Sequence, residues 1–222
     1  MATDEEQMRQ HILAQATRSF PKAFLMEALD RIRRAYLEEF SAVAHNVTTL
    51  AEQRIFKLNQ DRCFRIDWEL HEAAAAHGLN VTAKELPYNK WHHTYVTAGA
   101  FGLTQSYVPR AGDLPQPAKF RDALAEAANC PRLPLDDSAE IYSAKEFYAL
   151  FAHTPVGRRF SEDEQKLGTL MFCVPDRTMK SWALSVGVPE IIALYPADEK
   201  AKKEDRTVPT WRRDKDAGSK KA

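Results

Sequence analysis

Cysteine is scarce in this chain, glycine is sparse and long apolar runs are missing. Three cysteines, Cys63, Cys130 and Cys173, occur among 222 residues. Odd in number and widely spaced in apolar surroundings, they favour reduced, buried thiols over a disulfide framework. No window approaches the ~20 consecutive apolar residues that a helix needs to cross a bilayer, so no membrane association is expected. The opening segment MATDEEQMRQ is acidic and polar, unlike a signal or transit peptide, and a cytoplasmic protein is the expectation. Without secretion, the sequons at Asn46-Val47-Thr48 and Asn80-Val81-Thr82 read as chance. There is no Walker loop, no G-x-G-x-x-G and no G-x-S-x-G, which removes support for NTPase, Rossmann and serine-hydrolase chemistry. No cysteine pair has zinc spacing, His92 and His93 project apart on a strand, and His71 and His77 lie about 120° apart on a helix. No metal and no cofactor are expected. Cys173 sits in the apolar run Leu170 to Val174, where a thiol is inert. Glu38-Glu39 and Asp136-Asp137 read as solvated pairs.

What is present suits a globular chain of one ordinary domain or two small ones: 44% hydrophobic residues can build a core, and 28% are charged. The zero net charge hides a split. Residues 200–222 hold nine Lys or Arg against four Asp or Glu, a local +5, which leaves −5 on residues 1–199. That tail has few apolar residues beyond Val208 and Trp211 and is expected to be a disordered basic arm.

Residues 4–18 read as a polar helix. Ser19-Phe20-Pro21 opens a second helix, in which Leu25, Leu29, Ile32, Tyr36, Phe40 and Val43 recur at steps of three and four. That stripe predicts an amphipathic helix of about 25 residues. Thr49-Leu50-Ala51-Glu52 has the form of a capping box for another. Phe64 to His71 alternates like a strand but flows into Glu72-Ala73-Ala74-Ala75-Ala76-His77-Gly78, a helix with a glycine stop, and is read as helix. Thr94 to Val108, around Gly99 and Gly102, predicts a hairpin, and Pro109 to Pro117 a loop. Helices are predicted from Lys119 to Asn129, Ser143 to Ala152, after Ser161-Glu162-Asp163-Glu164, from Thr178 to Val186 and from Pro189 to Leu194, with a short buried strand at Leu170 to Val174. The expectation is a mainly α (α+β) fold. Its parts are a helical region over 1–86, an α+β region over 87–199 with one small β-hairpin, and the tail over 200–222.

Tyr88 to Arg110 is the stretch most suggestive of function. It gathers Tyr88, Trp91, Tyr95, Phe101 and Tyr107 among Lys90, His92, His93 and Arg110, without one acidic residue. Aromatic faces beside cations are what stacking on unpaired bases and gripping phosphates require. A packed hairpin would use the same aromatics for its core. The candidate nucleic-acid contacts are Lys90, Trp91, His92, His93, Tyr95, Tyr107 and Arg110, joined by Arg212, Arg213 and Lys215 of the tail; no catalytic residue is assigned. The expected function is a non-enzymatic nucleic-acid-associated protein of a prokaryote or mobile element, working with other protein subunits. A protein–protein adaptor is the alternative that needs only the amphipathic helices.

Two segments have the turn chemistry of a helix-turn-helix, Ala74 to Asn80 and Ala183 to Pro189: a small residue, a glycine and an apolar plug. Few basic residues follow either turn, which is poor for base reading. Arg65 and His71 are spaced R-x5-H beside Asp67 and Glu69, which resembles the R-x4-6-H element of HEPN ribonucleases over seven residues. That resemblance implies an all-helical, metal-independent ribonuclease in which Arg65 and His71 contact the scissile phosphate. On a regular helix the pair diverges by about 120°, so a structural role is predicted.

Overall fold

The computed structural model describes residues 4–85, 92–128 and 147–196. Helices α1 (Asp4–Ser19), α2 (Lys22–Ala44) and α3 (Arg54–Ala76) come first, with a 3₁₀ turn at Ala51–Gln53 before α3. Strands β1 (Asn80–Glu85), β2 (His92–Ala98) and β3 (Phe101–Tyr107) follow, then α4 (Lys119–Ala128). Strands β4 (Phe147–Pro155), β5 (Leu167–Pro175) and β6 (Trp182–Gly187) and helix α5 (Val188–Ala193) complete the elements of the described residues. The six strands form one sheet in sequence order, antiparallel except for the parallel β3–β4 pair.

Two cores result from the alternation of side chains along the strands. Phe101 and Leu103 of β3 and Phe147, Ala149 and Phe151 of β4 face α1, α2, α3 and α5. The predicted α2 stripe supplies Leu25, Ile32, Tyr36 and Val43 to buried positions, and α3 supplies Ile66, Leu70, Ala73 and Ala74. On the other side, Tyr95, Tyr148, Leu150, Ala152 and Cys173 pack beneath Leu124 and Ala125 of α4. Among the described residues α4 is the one helix on this side, and it belongs to the crossover that the parallel β3–β4 pair needs.

The sheet overturns the expected mainly helical architecture with a single small hairpin. Residues Ser143 to Ala152 were expected to be helical because Phe147, Leu150 and Phe151 have helical spacing. The described part is strand β4, buried at all nine positions, and a run apolar on both faces carries no period that separates strand from helix. Thr178 to Val186 is instead a hairpin turn and β6. Asp176 Oδ1 accepts hydrogen bonds from the Thr178 and Lys180 N–H groups at 3.0 Å each, which ties the turn before a helix can start. Likewise Ser161 to Glu164 makes a turn, where Glu164 accepts from Arg159 N at 2.7 Å. The Thr49 capping box gives no side-chain cap: both the 3₁₀ turn and α3 begin without one.

Helix α3 runs unbroken through the ambiguous 64–71 segment and ends in a Schellman turn. Leu79 N donates to Ala74 O and Gly78 N to Ala75 O, with Gly78 at φ 68°. A Cβ at Gly78 would meet nothing within 4 Å, so only backbone strain opposes a side chain. Gly78→Ala should therefore cost about 1 kcal/mol of unfolding free energy in a urea titration, with no change in structure. Both predicted helix-turn-helix segments resolve otherwise, since each joins a helix to a strand: α3 to β1, and β6 to α5. The expected break at Cys130 to Pro134 and the tail over 200–222 lie outside the described residues.

Candidate functional site

The acid-free stretch is divided by the sheet rather than displayed on one face. Lys90 and Trp91 belong to the connection between β1 and β2 and lie outside the described residues, as do Arg212, Arg213 and Lys215. His92 is exposed on β2, 4.0 Å from Glu85. Tyr107 points to the helical side, its ring 6.2 Å from that of His153, while Tyr95 is buried on the α4 side. Arg110 is exposed in the loop after β3.

His93 and Tyr95 remain together, and they meet cations from β1 and α4. Lys84 pairs with His93 across β1 and β2, and its ammonium sits 3.9 Å over the Tyr95 ring. The His93 imidazole lies 4.4 Å from the Phe120 ring, and the Arg121 guanidinium 5.0 Å from the same ring. Tyr95 lies across Gly102, where a Cβ would collide with its phenol; the glycine is what lets the ring lie flat on the sheet.

Three basic groups thus share a half-buried site. Burial lowers the Lys84 and Arg121 pKa values. Burial, then the charges of Lys84 and Arg121, hold His93 down at about 4, so its imidazole is neutral at pH 7. Neither ring nitrogen of His93 nor Nε of Arg121 has a hydrogen-bond partner among the described residues. Arg121 donates to the Gln116 carbonyl and has no carboxylate within ion-pair distance among the described residues. Lys119 and Arg121 also fall in the first turn of α4, where the helix dipole favours an anion. His93 and Tyr95 were legible in the acid-free stretch, and basic residues at a predicted helix start were the further signal of this site.

A second polar cluster lies between the helices and the sheet and is closed. Tyr36 Oη is 2.7 Å from His153 Nδ1, and His153 Nε2 is 2.9 Å from Gln105 Oε1. The amide oxygen can only accept, so Nε2 carries the proton, and Tyr36 donates to Nδ1. Gln105 Nε2 continues to the Cys63 carbonyl at 3.3 Å. The Arg62 guanidinium stacks 4.1 Å over Tyr36 and donates to Gln165 Oε1 at 2.8 Å and to its carbonyl at 2.7 Å. His153 and Arg62 are each 1% exposed. These groups orient one another and leave no opening for a substrate.

Arg65 and His71 do not converge. Arg65 is held by Glu38 at 2.7 Å and Glu69 at 2.9 Å, while His71 stacks on Trp68 with rings 6.2 Å apart. The sheet-centred fold also differs from the all-helical architecture that the HEPN resemblance implies. Among the described residues no cluster of His, Cys, Asp or Glu could hold a metal ion, and no helix is long and apolar enough to span a membrane. No protein-family model, curated protein or solved structure matches the chain.

Proposed function

We propose that the protein is a non-enzymatic, nucleic-acid-associated subunit of a larger cytoplasmic assembly of a prokaryote or mobile element. A phosphate of an unpaired strand would sit among Lys84, His93 and Arg121. The observation that carries this reading is the half-buried cationic cluster set against Tyr95 and Phe120 at the first turn of α4. Cations driven together out of water raise one another's cost, and a bound anion relieves it. In the sequence Lys90 and Trp91 precede His93 by three and two residues. The two charged contacts, from Lys84 and Arg121, suit a chain of zero net charge and imply modest affinity. Binding to a fluorescent single-stranded oligonucleotide should weaken roughly 10-fold between 50 and 200 mM salt. Binding that is absent at 50 mM salt, or indifferent to salt, contradicts the reading.

The adaptor reading keeps one observation of its own. Phe64 and Trp68 stand on the outer face of α3, 49% and 56% exposed, beside ion pairs that engage Glu27, Arg31, Glu69, Arg65 and Glu38 and leave only Glu39 of the groove there without a cation among the described residues. Exposed aromatics among mostly paired charges suit a protein partner.

A further inference from the structure

The groove between α2 and α3 has a different chemistry from the cationic cluster. Glu39, Asp61, Phe64, Arg65 and Trp68 line a shallow depression of about 420 Å³. Lys57 holds Asp61 at 2.7 Å, and Glu38 and Glu69 take Arg65. Glu39 is left half-buried, with no cation within ion-pair distance among the described residues. Burial first, then the charge of Asp61, raises its pKa. An acceptor of that kind beside the open face of Trp68 recognises a guanidinium or ammonium group next to a flat apolar one.

We infer that this groove docks the chain's own basic tail, with Trp211 laid against Trp68 and Arg212 or Arg213 reaching Glu39. The inference is independent of the nucleic-acid reading. Charge supports it, since residues 200–222 carry +5 while the rest of the chain carries −5. Composition supports it as well: Trp211, followed directly by Arg212 and Arg213, is the tail's one large aromatic.

Reach is sufficient. The described chain ends near the start of α2, where Tyr195 donates to the Phe20 carbonyl. The groove lies toward the far end of α2, a helix of 23 residues and hence roughly 35 Å long. The fourteen residues from Ala197 to Thr210 span up to about 50 Å when extended. A tether of that length presents the tail at about millimolar effective concentration, so a weak contact suffices to fill the groove.

The test uses the full chain labelled with 5-fluorotryptophan, with Trp211 assigned among the four tryptophans by a Trp211→Phe variant. The Trp211 fluorine signal should lie away from the position of a free peptide covering residues 205–217. It should move to that position in Trp68→Ala, in Glu39→Lys and in 1 M salt. Trp68 and Glu39 are not core residues, and unchanged melting of both variants keeps their effect local. A Trp211 signal at the free-peptide position in the unmodified protein overturns the proposal, as does one that ignores both substitutions. A shift that fades on dilution places the tail on a second copy and overturns docking within one chain.

Discussion

Between pH 7 and pH 4 the folded protein is expected to lose about 3 kcal/mol of stability through His153 alone. Burial first, then the charge of Arg62, lowers its pKa to about 3, against about 6.5 in the unfolded chain. The folded imidazole stays neutral while the unfolded one takes up a proton. Stability is therefore full above about pH 6.5 and is lost as pH falls toward 3. His93, lowered to about 4, acts in the same direction over a narrower window. Asp67 opposes both: burial raises it to about 6 against the pull of Gln105 and the Thr94 N–H. Its folded form binds a proton more readily than the unfolded one, so acidification from pH 6 to about 4 relieves a cost. The clean readout is the difference between variants. Urea titrations at pH 4, 5, 6 and 7 should show His153→Gln losing less stability on acidification than the unmodified protein, and Asp67→Asn losing more. Imidazole resonances of His153 should not titrate above pH 4; a titration near 6.5 would remove the argument.

Arg62→Ala should be the most damaging single substitution, at about 3–5 kcal/mol. It removes the cation stacked on Tyr36, opens a void at a residue that is 1% exposed, and strands both Gln165 oxygens in the interior. Lysine cannot replace the fork that serves Oε1 and the carbonyl together, so Arg62→Lys should recover only part of the loss. Arg65→Ala, three residues on, is the control. Its partner Glu38 is exposed and Glu69 keeps Arg31 at 3.0 Å, so the cost should stay within about 1 kcal/mol. Equal losses at the two positions, measured by denaturant unfolding, would mean that the buried network does not hold the helices to the sheet.

Local periodicity made α2 and α3 legible, because one face of each is buried against a single layer. In α3 the strand-like alternation of Phe64, Ile66, Trp68 and Leu70 arises because Ile66 and Leu70 enter the core while Phe64 and Trp68 face outward. Central strand β4 was illegible for the opposite reason, being apolar on both sides. The buried network was out of reach of any local pattern: Tyr36 and His153 are 117 residues apart, and Arg62 and Gln165 are 103 apart. The aromatic and basic character of residues 88–110 was visible, but not its partition. Only strand alternation decides that Tyr95 lies beneath α4 while Tyr107 lies toward α2 and α3, and only the β3–β4 crossover brings Phe120 and Arg121 to His93.

The claim that the α4-side cluster takes a phosphate is tested most directly by one substitution in the full-length protein. Fluorescence anisotropy with a labelled single-stranded oligonucleotide at 50 mM salt compares the unmodified chain with Arg121→Met, which keeps the apolar stem and removes the charge. Affinity is expected to fall at least 5-fold, with a salt dependence shallower by roughly 0.7, the share of one phosphate contact to a single strand. Unchanged affinity and unchanged salt dependence in a variant with normal melting would contradict it.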